Sequence, residues 1–419
     1  MVSPARHDAD VIIAGAGIPG VTLALSLAQA GLKPILIDPV VFDAQIAPTF
    51  DGRASAIAYA AFRQWRALGL EESLAPHAQR IEQILVTDGR APGASVRERS
   101  PFFLRFESAE IADRSDGEPL GYLLENRHIR AALAAAVQAA DREGLAPARV
   151  ASVAFEGLAA DVSLADCRRL RAPLVVGAEG RGSVVRAEAG IGTIGWPYSQ
   201  TGVVATVRMT RPHEGVAHEY FLPSGPFAIL PLTDNRASLV WTESTPRAEA
   251  LKGARPEVFQ AHLERRFGDF LGALAVEGPI FTYPLSLQLA ERFTAPRVAL
   301  LGDAAHAIHP IAGQGLNLGL KSAAALAEVL VDAQRLGEDI GSEGVLERYA
   351  AWRRFDTTML GVGTDVFVRL FSNDNPLLRL ARGIGMAAVN RIAPARKFFM
   401  HEAGGAVGQL PRLLRGEAL

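Results

Sequence analysis

A glycine-rich turn near the N-terminus constrains the fold of this chain more than any other feature of its sequence. The segment from residue 10 onward, DVIIAGAGIPG, predicts a buried parallel strand at 11–14, a helix at 19–30 and a second strand at 36–38. Between the first strand and the helix, Gly15, Gly17 and Gly20 have the spacing G-x-G-x-x-G. The first glycine permits the tight bend, the second lets the backbone approach a pyrophosphate, and the third lets the helix pack on the strand. The sequence therefore predicts a dinucleotide-binding βαβ unit.

An acidic residue follows at the tip of the second predicted strand. Asp38 lies 18 residues beyond Gly20, where it can accept hydrogen bonds from the hydroxyl groups of a ribose. The N-terminus of the intervening helix offers free N–H groups and the positive end of its dipole to an anion. The predicted dinucleotide site consists of Gly15, Gly17, Ile18, Pro19, Gly20 and Asp38. This motif alone does not distinguish FAD from NAD.

Composition and charge narrow the function classes. A chain of 419 residues is long enough for two or more domains with a sizeable core. Its net charge of -2 gives no electrostatic footprint for nucleic acid, so no nucleic-acid partner is expected. The single cysteine, Cys167, excludes an internal disulfide and any site built from several cysteines. Residues 11–32 lack charge over a length that could cross a bilayer, but Asp8, Asp10 and the interrupting glycines favour an intracellular protein.

A second glycine-rich stretch, RVALLGDAAHAIHPIAGQGLNLGL at residues 297–320, is predicted to face the same site. An apolar strand ends there at Gly302 and Asp303, and a carboxylate at the C-terminal edge of a parallel sheet lies where ligands of open α/β folds bind. Asp303 could instead cap a helix, but Pro310 and the sequence AGQG delay the next predicted helix to about Gly315. The sequence therefore favours a second contact with the same cofactor.

The same stretch contains two histidines, His306 and His309. No second group of metal-ligating residues accompanies them, so no metal site is expected. We expect both histidines to pack or to form hydrogen bonds near the cofactor.

These stretches carry a resemblance to a known family. Together with the N-terminal glycine motif, GDAAHAIHPIAGQGLNLGL resembles the FAD-dependent aromatic hydroxylases of the p-hydroxybenzoate hydroxylase fold, and HPIAGQGLNLGL is especially similar to their ubiquinone-biosynthesis branch. The resemblance extends over most of the chain, through FDGRASAIA (50–58), VVGAEGRGSVVR (175–186), PFAILPL and SLVW (226–241), YPLSL (283–287) and RLFSN (369–373). It implies FAD as cofactor, molecular oxygen as co-substrate, and NAD(P)H or a protein electron donor as reductant.

The resemblance also implies roles for individual residues. Asp303, next to Gly302, is expected to bind the ribityl chain of FAD, Arg53 to lie near the FAD phosphates, and Arg127 to approach the cofactor. The residues expected to line the pyrimidine side of the flavin are Pro310, Gly313, Gly315, Leu316 and Asn317. A helix that starts there would stabilise the negative charge of reduced flavin. The family's middle motif reads Asp-Gly, whereas Glu179 stands at the acidic position here, and this departure leaves open how the flavin is reduced.

Short β-type segments separated by Gly, Pro, Asn and Asp turns fill residues 191–277 and predict an antiparallel sheet beside the cofactor domain. In the resembling family the inner face of this sheet covers the substrate. The candidates for an apolar substrate pocket are Phe221, Phe227, Ile229, Leu230 and Pro231, each of which is, taken singly, also a candidate for the core. No residue is identified as catalytic, and a cofactor that carries the difficult chemistry does not demand one.

The expected fold class is α/β, or α+β overall. The expected parts are a Rossmann-like FAD-binding domain with a mostly parallel sheet (1–77, 105–190 and 278–345), an antiparallel-sheet substrate domain (78–104 and 191–277) and a helical C-terminal segment (346–419). Within that segment, residues 376–397 carry five basic residues and no acidic one. This composition fits contact with an anionic membrane surface and equally fits packing against a partner.

The leading functional hypothesis, implied by the resemblance, is a flavin monooxygenase that hydroxylates the aromatic ring of a polyprenylated ubiquinone precursor through a flavin C4a-hydroperoxide. The alternatives are a related FAD hydroxylase of a soluble phenolic compound and a non-catalytic FAD-binding scaffold of a biosynthetic complex. The expected partners are the polyprenyl aromatic substrate and quinone-biosynthesis proteins, and homo-oligomer formation stays open. The expected location is cytoplasmic, with peripheral contact on the inner membrane surface.

Overall fold

A computed structural model describes residues 7–88, 103–110, 117–140, 144–310, 313–371, 404–405 and 408–419. The strands in these residues are β1 (Val11–Ala14), β2 (Pro34–Ile37), β3 (Ala54–Ala58), β4 (Gln79–Ile81), β5 (Gln83–Asp88), β6 (Phe103–Glu107), β7 (Gly121–Glu125), β8 (Gly144–Leu145), β9 (Val150–Glu156), β10 (Ala159–Leu164), β11 (Arg169–Ala172), β12 (Leu174–Gly177), β13 (Thr193–Met209), β14 (Val216–Leu222), β15 (Gly225–Leu232), β16 (Arg236–Ser244), β17 (Leu274–Ala290), β18 (Thr294–Ala295), β19 (Val298–Leu300) and β20 (His306–Ala307). The α-helices are α1 (Ile18–Gln29), α2 (Phe42–Gln45), α3 (Tyr59–Ala67), α4 (Glu71–Leu74), α5 (Asn126–Ala139), α6 (Val184–Glu188), α7 (Thr245–Lys252), α8 (Pro256–Phe267), α9 (Gln314–Arg335), α10 (Glu343–Phe371) and α11 (Arg412–Arg415).

The parallel sheet of the cofactor-binding part has the strand order β18-β19-β12-β1-β2-β8. Its central strands β12, β1 and β2 are buried at every position, which is why they read in the sequence as continuous apolar runs. All neighbouring pairs are parallel except the edge pair of β18 and β19. The C-terminal ends of β1, β2, β12 and β19 therefore meet at one edge, and the loops that follow them lie together.

The predicted βαβ unit and fold class are confirmed, with shifts of one or two residues at the element ends. The helix runs over Ile18–Gln29 rather than 19–30, and the second strand ends at Ile37, so that Asp38 lies just beyond it. In the second glycine-rich stretch, α9 begins at Gln314, one residue before the expected start.

The large sheet has the strand order β20-β17-β13-β16-β15-β14-β5-β6, and its pairs are antiparallel except for β14 with β5. Two further three-stranded sheets have the orders β11-β10-β9 and β3-β7-β4. The strand β17 continues to Ala290, so the large sheet extends past the domain boundary expected at residue 277. The connection between β15 and β16 is tight, with Asp234 and Asn235 in the left-handed backbone region.

The large sheet has two different faces. The outer face packs against α7 and α8, as the cluster of Val203, Phe227, Trp241, Leu251 and Phe259 shows. The inner face carries the alternate positions and points toward the cofactor-binding part. There the Tyr283 hydroxyl donates a hydrogen bond to Asp51, at 3.2 Å.

The chain beyond the large sheet is helical where it is described, and α9 packs against α1 and α10. The basic segment 376–397, for which membrane or partner contact was expected, lies outside the described residues. Among the described helices, none combines the length and the apolar character needed to cross a bilayer.

Candidate active site

The three glycines of the N-terminal turn have three different environments. Gly15 has a φ of +107°, and a Cβ added to it would lie 2.2 Å from the carbonyl oxygen of Ala178. A Cβ on Gly20 would lie 2.1 Å from the carbonyl oxygen of Gly15, whereas a Cβ on Gly17 would meet no atom within 4 Å. The first and third glycines are therefore required by backbone packing, and the second faces open space at the N-terminus of α1.

Asp38 holds the shape of this turn. One of its carboxylate oxygens accepts a hydrogen bond from the N–H of Ala16 and the other from the N–H of Val40, both at 2.8 Å. A carboxylate oxygen has two lone pairs, so each oxygen can also accept a hydrogen bond from a hydroxyl group. The expected contact of Asp38 with a ribose stays a prediction, and the structure adds a second role in fixing the glycine turn.

The two glycine-rich stretches meet at Pro19. A Cβ on Gly302 would lie 3.6 Å from the Pro19 side chain, and a Cβ on Gly319 in α9 would lie 3.0 Å from it. Small residues on both sides let the loop after β19 approach the start of α1. The expectation that both stretches face one site is therefore supported by direct packing between them.

Asp303 lies in a single 3-10 turn, Gly302–Ala304, that follows β19, and it accepts no hydrogen bond from the described residues. Its side chain is 53% exposed, and its nearest cation is Arg181, with 3.9 Å between the guanidinium Nε and a carboxylate oxygen. Burial in the surrounding protein raises the pKa of Asp303, and the charges of Arg181 and Arg53 oppose the rise. Asp303 is surrounded by protein and still has an exposed carboxylate, which is the situation of a residue in a cleft. Its side chain does not cap a helix.

The start of α9 is held by the side-chain amide of Asn317. Its oxygen accepts a hydrogen bond from the N–H of Ala58 at 2.9 Å, and its nitrogen donates to the carbonyl oxygen of Ala56 at 2.8 Å. Gly313, with a φ of +64°, caps the helix and donates its N–H to the carbonyl oxygen of Pro310 at 3.0 Å. The amide of Asn317 thus ties the helix start to β3. Contact of these residues, and of Gly315 and Leu316, with a flavin stays a prediction.

Asp51 is a residue of this region that the sequence did not indicate. It is 4% exposed, and its carboxylate accepts hydrogen bonds from Arg53 at 2.8 and 2.9 Å, from Arg130 at 2.8 Å and from Asn126 at 3.0 Å. Burial is the largest single influence and opposes ionisation, but the hydrogen bonds and charges of Arg53, Asn126 and Arg130 together outweigh it and hold the pKa of Asp51 well below its usual range. Tyr283 completes this group, with its ring 4.9 Å from the Arg53 guanidinium carbon. Asp51 therefore positions Arg53, whose side chain is half exposed at the cleft.

Arg127 belongs to an ion pair that is separate from the group around Asp51. Its guanidinium donates to Glu125 at 3.2 Å, and Glu125 also accepts a hydrogen bond from Arg236 of the large sheet at 3.1 Å. The Nε of Arg127 is buried and has no partner among the described residues. Arg127 thus contributes to the junction between β7 and β16, and its approach to the cofactor stays a prediction.

Glu179 directs its carboxylate toward the chain's own backbone. It accepts hydrogen bonds from the hydroxyl of Ser183 and from the N–H groups of Val184 and Val185, the last two at 3.3 Å. Burial raises the pKa of Glu179, and the hydrogen bond from Ser183 opposes the rise. The longer side chain at this position of the family motif therefore accepts hydrogen bonds from N–H groups in the first turn of α6, whose N-cap residue is Ser183.

The residues at this edge fit an FAD molecule. The space in front of Gly17 is open, and the first turn of α1 has no acidic residue that would repel a phosphate. The Nε and one terminal nitrogen of Arg130 are buried without a partner among the described residues, so donors for an anion are present beside Asp51. Asp303 offers an exposed carboxylate for hydroxyl groups of the ribityl chain.

The expected substrate-pocket residues lie on two faces of the large sheet. Phe227 and Ile229 belong to the cluster under α7 and α8, and Pro231 shares their face because side chains alternate along β15. The expectation is therefore corrected for these three residues, which lie on the outer face. Phe221 and Leu230 lie on the inner face, where they stay candidates for the pocket.

The two histidines after Asp303 are buried. A ring nitrogen of His306 lies 3.4 Å from the hydroxyl of Ser322, and the ring of His309 packs edge-on against Tyr198 with 5.2 Å between centroids. Burial lowers the pKa of His306 to about 3 and that of His309 to about 4, so both rings are neutral at physiological pH. Over the described part of the chain, no cluster of three or more His, Cys, Asp or Glu side chains has the arrangement of a metal site.

The family of this chain follows from comparison with known proteins. Residues 8–355 match the family described as FAD binding domain. Ubiquinone hydroxylase UbiL of Rhodospirillum rubrum is 45% identical over 415 residues, which cover 98% of this chain and 94% of that protein. The 3-demethoxyubiquinol 3-hydroxylase of Escherichia coli is 34% identical over 388 residues, covering 91% of this chain and 95% of that protein.

A solved structure supports the same fold. The p-nitrophenol 4-monooxygenase PnpA from Pseudomonas putida DLL-E4 is similar with a TM-score of 0.78 and 19% identity, covering 96% of this chain and 99% of that chain. At this identity the likeness concerns the fold alone. The family match over most of the chain, the hydroxylase relatives and the cleft at the parallel-sheet edge agree, and the resemblance carried by the motifs is confirmed: the chain belongs to the FAD binding domain family and is an FAD-dependent monooxygenase.

Proposed function

We propose that this monooxygenase hydroxylates the aromatic ring of a polyprenylated ubiquinone precursor. The observation that carries the proposal is the 45% identity with ubiquinone hydroxylase UbiL, which extends over 98% of this chain and so includes both the cofactor edge and the large sheet. The relative from Escherichia coli, which also has a ubiquinone-related name, matches over 91% of the chain. A soluble phenol as substrate is supported only by a likeness of fold.

Each part of the cleft has a task in this reaction. The turn at Gly17 and the N-terminus of α1 bind the pyrophosphate of FAD, and Asp303 binds hydroxyl groups of the ribityl chain. Bound FAD supplies the redox chemistry that activates molecular oxygen for transfer to the ring. NAD(P)H or a protein electron donor provides the electrons. The N-terminus of α9 offers backbone N–H groups to negative charge on the flavin.

The large sheet excludes water from the reacting ring. Phe221 and Leu230 on its inner face provide apolar surface beside the cleft. Exclusion of water favours transfer of oxygen to the ring over its loss as hydrogen peroxide. A polyprenylated ring is insoluble, so the protein meets it at a membrane surface or receives it from a quinone-biosynthesis partner.

The proposal predicts which compound accumulates when the gene is deleted. The deletion strain should contain a polyprenylated precursor that lacks one ring hydroxyl group and should lose most of its mature quinone, because the next steps need that hydroxyl. Mass spectrometry of the extracted quinone intermediates measures this, and a strain complemented with the wild-type gene serves as the control. An unchanged quinone pool in the deletion strain would contradict the proposal and direct attention to soluble phenols.

A further inference from the structure

Glu219 is a carboxyl group on the inner face of the large sheet. In β14 it pairs directly with Ala228 of β15, and the same cross-strand row continues through Val240 and Val204 to Phe281. Directly paired residues of antiparallel strands share a face. Glu219 therefore lies on the face that also carries Phe281 and Tyr283, opposite the cofactor-binding part.

A chain of contacts connects this position with the start of α9. Ala217 and Leu230, which also lie on the inner face, form one apolar cluster with Ala54 and Ala56 of β3. A Cβ on Gly313, the N-cap of α9, would lie 3.2 Å from the Cβ of Ala56. Glu219 and Ala217 are successive residues on one face of a strand, which places them about 7 Å apart. The carboxyl group thus lies in the layer between the large sheet and the helix start expected to hold the flavin.

Glu219 makes no hydrogen bond or ion pair with any described residue, and its side chain is half-buried. The facing elements provide no charged partner among the described residues: β15 presents Pro226, Ala228 and Leu230, β3 presents Ala54 and Ala56, and β5 presents Ile84 and Val86, with Asp88 two residues further along. The charged or titratable neighbours His218 and Tyr220 on its own strand lie on the outer face. Burial alone raises the pKa of Glu219 to about 8.

An enclosed carboxyl group without a partner is costly, and groups of this kind cluster at functional sites. The fold does not use Glu219 for any contact among the described residues. Its surroundings are apolar, and it lies on the face of the sheet that is proposed to cover the substrate. A phenolic hydroxyl group is the substrate feature that such a carboxylate would bind.

We propose that Glu219 binds the ring hydroxyl group of the substrate and accepts its proton, an inference that rests on the proposed function. In this step the O–H bond of the ring hydroxyl breaks, its electron pair stays on the ring oxygen, and the proton forms the O–H bond of the Glu219 carboxyl group. The phenolate that results is richer in electrons at the ring carbons and therefore a better acceptor for an electrophilic oxygen atom.

The acidity of the two groups suits this transfer. An ordinary glutamate, with a pKa of about 4.3, is far too weak a base for a phenol, whose pKa is about 10. Burial brings the pKa of Glu219 to about 8 and so reduces the difference between its pKa and that of a phenol. A general base is most effective when its pKa lies near the operating pH.

The experiment uses the FAD-loaded enzyme, which is reduced chemically without oxygen and then mixed with oxygen, and two probes, 2-prenylphenol and its methyl ether, which has no proton to give. For the wild type, the rate of hydroxylation of 2-prenylphenol should rise with pH through about 8, where the Glu219 carboxyl group loses its proton, well below the pKa of about 10 of the free phenol. In Glu219→Gln, the rate of hydroxylation should rise only near the free phenol's own pKa. Formation of hydroxylated product should fall by about a hundredfold to ten-thousandfold.

The matched control is Glu277→Gln, which alters a carboxylate of the same sheet that pairs with Arg208 on the exposed surface. It should behave as the wild type in both measurements. Binding of the methyl ether should be equal in wild type and Glu219→Gln, which shows that the pocket is intact. Equal pH–rate profiles in the two proteins, or loss of ether binding in the variant, would overturn the proposal. Failure of the wild type to bind either probe would contradict the proposed function itself.

Discussion

Replacing Asp51 with alanine should lower the free energy of unfolding by about 3 kcal/mol, because it removes the shared acceptor of a buried ionic group. The carboxylate binds Arg53, Arg130 and Asn126, and the Arg130 side chain is only 11% exposed, so its charge cannot be fully hydrated once the partner is gone. Arg53 is half exposed and can turn toward solvent, which keeps the loss at the lower end of the range for buried pairs. Urea unfolding of the FAD-free protein measures the effect.

The pH dependence of this difference follows from the lowered pKa of Asp51. A carboxylate with a lower pKa in the folded state stabilises the fold above its unfolded value, near 3.8, and this contribution is lost as the pH falls toward the folded value. Wild type and Asp51→Ala should therefore differ at neutral pH and converge in acid. Asp166 is the matched control, because it binds Arg168 with the same two-residue spacing but on the exposed surface. Asp166→Ala should leave the unfolding curve unchanged, and an equal loss in both variants would contradict the structural role of Asp51.

Replacing Gly20 and Gly17 with alanine should affect two different properties of the protein. In Gly20→Ala the new Cβ would lie 2.1 Å from the backbone oxygen of Gly15, and no side-chain rotation can relieve this contact. The FAD-free protein should lose about 3 kcal/mol of unfolding free energy, at the upper end for overpacked sites. In Gly17→Ala the Cβ meets no protein atom within 4 Å, so the unfolding free energy should change by less than about 1 kcal/mol.

Replacing Gly17 should affect the affinity for FAD much more than it affects the stability of the fold. Its methyl group would occupy the space in front of α1 that the pyrophosphate needs, so FAD affinity should fall about tenfold or more, which corresponds to at least about 1.4 kcal/mol. Flavin titration of the folded variant measures this. Unchanged affinity in Gly17→Ala, or unchanged stability in Gly20→Ala, would show that the turn does not have the assigned geometry.

The features that the sequence predicts correctly are local ones. Gly15, Gly17 and Gly20 define a turn by their spacing within six residues, and Asp303 follows directly on an apolar strand. The position of this acidic residue can be predicted from the rule that parallel strands end at a common edge of the sheet. For this reason the cofactor-binding edge and the fold class are accessible without any knowledge of distant contacts.

The features that escape sequence reasoning depend on distant partners or on strand phase. Asp51 acquires its role from Asn126, Arg130 and Tyr283, which are remote in the chain. The strand β15 is apolar on both faces, so its sequence has no polar–apolar alternation that would indicate the face of Phe227. Only the pairing of Phe227 with Trp241 in the structure places it on the outer face. A usable signal did exist for Glu219, because a single carboxylate interrupts the apolar part of the run AHEYFLPSG.

The most direct test of the central claim is a single turnover with isotopically labelled dioxygen. The FAD-loaded protein is reduced chemically without oxygen, so that the identity of the natural electron donor does not matter, and is then mixed with 2-prenylphenol and labelled oxygen. If the protein is a ring hydroxylase of prenylated phenols, mass spectrometry should find a product with one added hydroxyl group whose oxygen carries the label. Quantitative release of the label as hydrogen peroxide, with unchanged 2-prenylphenol recovered from a protein that binds it, would contradict that claim.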